Sequence, residues 1–392
     1  RIDTTALNLV LNTRPLRRLS MNIRFRLDDR DNQTDREQYV TLRGDAEAQN
    51  TAEASNRRRF NRPFDYQEQT IKVDARYRLG MRSRLFGSVE RKRVKRRFSE
   101  RERVVENRAV LGWARALATE WNIQLDGEVA DRTGSTFEGE IALAEGFTPE
   151  YAATVPGGFI NLPGLRHFHL ADRRRHQARA RLNYTPAQAW AIGLEAALSA
   201  DDYRQSELGL TDSTNDSITA QFSYTPSEQW STHAFARIER MTFDQDGQSI
   251  RGFNKLPDAA NLERRWLADQ SDRVQSFGTG IRWQPTGREI EFEADYTFVR
   301  SRSRIDVQTG ADLTSAPLPS VDTSLHSVRL QSHWHINNTT SIGLSWWFER
   351  FRSDQFALDT VAVDQLANII LPGETSPDYQ VHVLSLSLRY RF

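Results

Sequence analysis

Long stretches of the chain alternate strictly between apolar and polar residues. From Ile290 to Phe298 the even positions are Ile290, Phe292, Ala294, Tyr296 and Phe298, and the odd ones are Glu291, Glu293, Asp295 and Thr297. A strand throws successive side chains to opposite faces, so this stretch has one apolar and one charged face. Ile71, Val73, Ala75, Tyr77 and Leu79 likewise alternate with Lys72, Asp74, Arg76 and Arg78. Ala178, Ala180, Leu182 and Tyr184 enclose Arg179 and Arg181, and Val328, Leu330 and Trp334 alternate with Arg329, His333 and His335. At the end, Leu384, Leu386, Leu388, Tyr390 and Phe392 alternate with Arg389 and Arg391.

The pattern predicts fifteen strands, near residues 4–13, 19–29, 67–79, 83–97, 102–117, 121–132, 173–185, 190–203, 215–225, 230–243, 272–284, 289–304, 324–336, 340–353 and 378–392. Each is about 10 residues or longer, the length a tilted transmembrane strand needs. The connections alternate too. Short ones (14–18, 80–82, 118–120, 186–189, 226–229, 285–288, 337–339) are followed by long ones (30–66, 133–172, 204–214, 244–271, 305–323, 354–377), with a short tip at 98–101 on the long-loop side. Short inner turns and long outer loops mark an all-β, antiparallel up-and-down transmembrane β-barrel. Aromatic residues at strand ends (Tyr77, Trp113, Trp121, Tyr184, Trp190, Tyr224, Trp230, Trp283, Trp334, Tyr390 and Phe392) predict two interfacial girdles. Residues 1–392 therefore read as one outer-membrane barrel domain.

Composition sharpens this reading. A mean hydropathy of −0.65 and the lack of a long apolar run exclude a helical membrane protein. In a barrel the charged residues line the interior, so a hydrophilic average is compatible with membrane insertion. Lys plus Arg is 53 against 52 for Asp plus Glu, which argues against a nucleic-acid partner. The chain has no cysteine, so it carries no disulfide, no thiol nucleophile and no covalently attached c-type haem. No nucleophile elbow, zincin motif or phosphate-binding loop occurs, and an enzyme is not expected. Strand parity adds one expectation: single-chain bacterial barrels have an even strand number, so an odd count starting at Arg1 points to further strands N-terminal to this chain.

Several runs carry a resemblance. They are Arg62-Pro63-Phe64-Asp65-Tyr66 with Val73 to Leu79, His169-Leu170-Ala171-Asp172-Arg173 leading into Ala180 to Pro186, Leu208 to Ser213, Tyr224-Thr225-Pro226-Ser227-Glu228, and Ser376 to Phe392. Together, in this order, they resemble the MtrB/PioB family of outer-membrane porins that partner multihaem cytochromes. The resemblance implies a large barrel that sheathes a periplasmic decahaem c-type cytochrome, insulating its haem chain from lipid. Electrons would then cross the outer membrane in metal-reducing respiration or iron oxidation. It also implies that any haem belongs to the partner and none to this chain, and it leaves room for an extracellular multihaem cytochrome. Some family members carry a cysteine pair near the N-terminus, which this chain lacks. A passive or substrate-specific diffusion porin without a redox partner is the alternative.

The residues expected to line the lumen and meet a partner are Arg76, Arg78, Arg179, Arg181, Glu291, Glu293, Asp295, Arg329, His333, His335, Arg389 and Arg391. Lys72, Asp74, Asp126, Glu128, Glu195 and Arg282 belong to the same wall. A wall dense in both signs suits a hydrogen-bonding protein plug, and it suits a water-filled pore equally. His333 and His335, two apart on one strand, read either as a metal pair or as part of the polar wall, and sequence supplies no third ligand. The basic run Arg91 to Arg97 reads as an outer strand tip, either solvated or meeting lipopolysaccharide phosphates, with Arg93, Arg96 and Arg97 as the cations to test. The loops at 133–172 and 244–271, with Gly157, Gly158, Phe159, Ile160 and Leu162 in the first, either fold inward, meet an outer partner or lie on the surface.

Overall fold

The computed structural model describes residues 1–39, 59–139, 146–154, 162–251, 258–285, 287, 289–337, 339–356, 359 and 378–391. Phe392 and Gly157 to Ile160 lie outside the described residues. The strands are β1 (Ile2–Leu16), β2 (Leu19–Asn32), β3 (Gln38–Tyr39), β4 (Arg59–Phe60), β5 (Tyr66–Arg78) and β6 (Ser83–Arg96). Then come β7 (Arg103–Ala116), β8 (Trp121–Gly134), β9 (Leu165–Arg166), β10 (Arg173–Ala187), β11 (Trp190–Asp202) and β12 (Leu208–Ser227). The last six are β13 (Trp230–Gln248), β14 (Arg265–Trp283), β15 (Ile290–Thr309), β16 (Val321–His335), β17 (Thr340–Asp354) and β18 (Tyr379–Tyr390). A six-residue helix, Pro149–Thr154, lies in the loop before β9. No helix among the described residues is long and apolar enough to cross a membrane.

All fifteen expected strands form, and neighbours along the chain are hydrogen-bonded neighbours in one antiparallel sheet from β1 to β18. The short β9 pairs with β12 in parallel, and β3 and β4 form a separate two-stranded ribbon. Among the described residues β1 pairs only with β2, and β18 only with β17, so the sheet is not closed. The main departure from expectation is length. β12 to β15 run for 19 or 20 residues, well into the stretches 204–214, 244–271 and 305–323 that were expected to be loops.

Partners across a ladder point to the same face, so register sorts the side chains. One row joins Met21, Ala75, Gly87, Leu111, Gly127, Ala178 and Leu198. The row on the other face joins Asn22, Asp74, Ser88, Val110, Glu128, Gln177, Ser199 and Asn215. The apolar face is left bare: Leu111 is 70%, Ile218 66%, Leu386 76% and Leu388 72% exposed, and no large side chain among the described residues is fully buried. A wall with no core of its own is stable only if lipid covers its apolar face. That face is therefore the outward, lipid-facing one, and the polar face is the inward one. On β15 the outward apolar positions run from Phe292 to Phe298, and on β11 from Trp190 to Leu198. At ~3.3 Å per residue and a tilt of about 40°, the band is roughly 18–23 Å tall, close to a membrane's apolar span.

Above this band the polarity reverses. On β15 the outward residues become Arg300, Arg302, Arg304 and Asp306, all exposed, and the inward ones include Val299, Ile305 and Val307, with Ile305 and Val307 half-buried. Across the sheet, the inward row Phe243–Gln270–Ile305 lies three residues away from the outward row Arg240–Arg273–Arg302. Lipid has ended at this height, so water takes the outer face and the apolar side chains turn inward.

The aromatic residues correct the expectation of two girdles. The described ones among them all sit at the short-turn end of the band, where adjacent strands bring them into one belt. Trp121 stacks on Tyr184 at 4.0 Å between ring centroids, Trp190 meets Tyr224 at 4.3 Å, and Trp230 meets Trp283 at 5.7 Å. The opposite edge has only a partial aromatic belt, formed by Phe277, Tyr296, Phe298 and Phe348 on the β14–β17 side.

Candidate functional site

The inward wall is the site. Register places the expected contact residues on β5, β10, β15, β16 and β18 on this face, but distributes them in sectors and gathers no single pocket. Arg76 lies opposite Ser20 and Phe86, and Arg78 sits at the turn, its guanidinium donating to the Arg17 carbonyl at 3.1 Å. Arg179 stands between Asp126 and Ala197, and Arg181 is paired with Glu195 at 2.5 Å. Glu291 pairs with Arg282 from the neighbouring strand. Glu293 lies opposite Arg282 and Gln331, and Asp295 lies opposite Gly280 and Arg329 with His233 Nε2 at 3.6 Å. His333 is opposite Glu291 and Gly343, and His335 and Arg389 flank Ser341. Arg391 follows β18, its backbone N–H donating to the Thr339 carbonyl at 2.8 Å. No group of three or more His, Cys, Asp or Glu placed to hold a metal ion occurs among the described residues, and the two histidines sit in the polar wall.

Ion pairs such as Arg181–Glu195 and Arg108–Glu128 at 2.6 Å neutralise much of the wall. Buried Nε atoms without a hydrogen-bond partner in the protein occur on the inward Arg108, Arg179 and Arg237, and also on the outward Arg93. A buried unmade N–H costs roughly 1–3 kcal/mol, so such a wall is set to accept polar groups from something placed against it.

Sequence reasoning missed the inward aromatic residues. Phe86 lies over Gly112 on the next strand, and Phe235 lies over Gly278; a Cβ on either glycine would meet the ring at 2.2 Å. Each ring is thus laid flat along the wall, keeping the lumen open. The signal was present as a Gly at the cross-strand position opposite each Phe, but it needs the register to be read.

The outer rim answers one question that sequence left open. Of the segment from Leu162 to Asp172, Leu165–Arg166 extend the wall beside β12, and residues 168–172 are held by Arg101 and by Arg132, which faces inward on β8. Arg101 donates to the Leu170 carbonyl, to Asp172 Oδ1 and to the Ser135 carbonyl, each at 2.7 Å. Arg132 donates to the Ala171 carbonyl at 2.9 Å and also to that of Phe168. Leu170 and Ala171 bury there against the outer ends of the wall, with Val94, Val104, Ala130, Tyr203 and Leu208 also buried. His167 Nδ1 meets Glu100 at 2.5 Å. Burial, reinforced by the neighbouring His167, Arg96 and Arg132, pushes the His169 imidazole below its ordinary pKa.

The basic run at 91–97 is divided by the pleat. Arg91, Arg93 and Lys95 face outward, opposite Ile71, Gln69 and Gln67. Lys92 and Arg96 face inward, Lys92 pairs with Glu68 at 2.8 Å, and Arg97 meets Asp65 at 3.7 Å. Of the three cations singled out from sequence, Arg93 belongs to the outward face, Arg96 to the inward one, and Arg97 lies past the strand end beside Asp65.

A long antiparallel wall with a lipid-facing apolar band and a polar interior defines an outer-membrane β-barrel of porin type. The family described as outer membrane beta-barrel porin, MtrB/PioB, matches residues 1–392, and the chain belongs to that family. It is 24% identical over 395 residues to the outer membrane protein MtrB of Shewanella baltica (strain OS185), which covers all of this chain and 51% of that protein. The chain thus spans about half the length of the curated relative it matches. Among solved structures it is similar to a ferric enterobactin receptor (PfeA) mutant from Pseudomonas aeruginosa, at 11% identity and TM-score 0.45 over 99% of this chain and 70% of that one. It is also similar to the copper transporter OprC, at 10% identity and TM-score 0.43 over 90% and 60%.

Proposed function

We propose that this chain forms part of a sheath that holds a periplasmic multihaem c-type cytochrome in its lumen and insulates the haem chain from lipid, so that electrons cross the outer membrane. The observation that carries the reading is the inward wall, charged in both signs and bearing buried guanidinium N–H groups without partners at Arg108, Arg179 and Arg237. A protein seated against the wall would supply carbonyls and carboxylates for these donors. In this reading Arg76, Arg78, Arg179, Arg181, Glu291, Glu293, Asp295, Arg329, His333, His335, Arg389 and Arg391 are contact positions, and the haem is entirely the partner's. The unpaired edges of β1 and β18 support a wall completed by further strands, since an open ladder edge in lipid costs several kcal/mol for each unmade hydrogen bond.

The test is purification from outer membranes under mild detergent, followed by haem staining and an absorbance spectrum. The expected result is a stoichiometric c-type cytochrome, with electron passage from an external reductant to a dye inside liposomes only when both are present. A haem-free barrel that conducts small ions at the rate of an open pore would overturn the proposal.

A further inference from the structure

Above the apolar band on β13 to β15, three arginines stand directly opposite one another: Arg240 faces Arg273, and Arg273 faces Arg302. Arg300 and Arg304 flank Arg302 on its own strand face. All five are exposed and on the lipid-facing side, just above Phe277, Tyr296 and Phe298, the last apolar residues of the band. Like charges at opposed positions, ~5 Å apart at Cβ, destabilise a sheet. Compensation is partial: Asp216 stands opposite Arg240 on the same face, and the row Asp244–Asp269–Asp306 lies four residues higher. Asp322 takes Arg302 at 2.7 Å and reaches Arg300 only at 3.9 Å, and no ion pair among the described residues involves Arg240, Arg273 or Arg304.

Location decides the ligand. These guanidinium groups sit at the height where the outer leaflet's acyl chains end and its headgroups begin, and on the outer side of the wall, away from the lumen. We propose that Arg240, Arg273 and Arg302, with Arg300 and Arg304, form a binding site for the phosphate groups of the outer-leaflet glycolipid. Guanidinium groups bind phosphate bidentately, and several phosphate oxygens can bridge arginines that otherwise repel. The site anchors the tall β12–β15 side of the wall at a fixed depth. It is independent of what fills the lumen.

The test uses the intact protein extracted from outer membranes, delipidated in detergent and offered diphosphoryl lipid A or its fully dephosphorylated form. Bound lipid is counted by native mass spectrometry. Diphosphoryl lipid A is expected to bind at least about ten-fold more tightly than the dephosphorylated form, the equivalent of one charge-assisted hydrogen bond. Arg240→Gln/Arg273→Gln/Arg302→Gln should abolish that preference, while the corresponding Lys triple variant, which keeps the charge but loses the fork, should keep part of it. Inorganic phosphate at the same concentration should not displace the lipid; displacement would overturn the assignment to a lipid headgroup. Equal binding of both lipids by the parent protein, or an unchanged preference in the Gln variant, would overturn the site. The comparison of the two lipids needs no variant, so misfolding of a variant leaves the test intact.

Discussion

The same strands behave in opposite ways in their two halves. Inside the membrane band β15 shows Phe292, Ala294, Tyr296 and Phe298 to the outside and Glu293 and Asp295 to the lumen; ten residues higher it shows Arg302, Arg304 and Asp306 outside and Ile305 and Val307 inside. From β13 to β15 the register is unbroken along the whole length of the strands, so the inversion there lies wholly in the residues chosen. The surroundings select them. Lipid rewards apolar side chains on the outer face, whereas water above the headgroups rewards burying them on the inner one. The small buried cluster of the molecule, including Val94, Leu170 and Ala171, accordingly sits at the outer end and not in the band.

Breaking the outer end should have the largest effect. Arg101→Ala removes a buried guanidinium (its side chain is 8% exposed) from Asp172 and two carbonyls, and leaves Asp172 without its cation. The expected cost is about 3–5 kcal/mol to the local structure, read as protease cleavage within residues 162–172 with the strands still folded. Placing a charge on the lipid face comes next. Ala294→Arg in the middle of the band should cost ~2–4 kcal/mol in urea unfolding from lipid vesicles, while Thr242→Arg, on the same face above the band, should cost no more than its lost hydrogen bond to Thr214, about 1 kcal/mol. Equal costs at the two heights would refute the inversion. Gly278→Val forces the Phe235 ring off the wall and should cost about 1–3 kcal/mol, with Phe235→Ala in the same chain relieving the clash.

The smallest effect is on pH. Because the His169 pKa is lowered in the folded state, the unfolded segment binds the proton more readily. Its full contribution is therefore present above the ordinary histidine value of about 6.5 and is lost as pH falls below it. Cleavage within residues 162–172 should rise on acidification in the parent chain, and His169→Gln should flatten that dependence.

How much of this was legible follows the same division. Period two exposed all fifteen strands and the face of every wall residue, because lipid on one side and polar lumen on the other make the alternation strict. It failed where the environment changed. At Phe298–Val299 two apolar residues stand side by side, and the apolar phase moves from even to odd positions. That shift marks the outer edge of the membrane, yet a reading that required one phase throughout began β12 and β14, and ended β13 and β15, too close to it. The girdle at the turn end was legible in Trp190, Trp230 and Trp283, but that all belonged to one belt became plain only once strand direction was applied. The flattened Phe86 and Phe235, the division of the run at 91–97 between two faces, and the arginine row of β13–β15 depend on cross-strand register, which one strand's sequence does not carry.

The most direct test of the reversed wall uses the absence of cysteine. Single cysteines introduced one at a time from Phe292 to Asp306 can be spin-labelled and their contact with oxygen dissolved in the bilayer recorded. The account predicts high lipid contact at Phe292, Ala294, Tyr296 and Phe298, low contact at the odd positions between them, and no lipid signal at any position from Arg300 upward. Lipid contact at Glu293 and Asp295, or an even-numbered lipid signal that continues through Arg302 and Arg304, would contradict it.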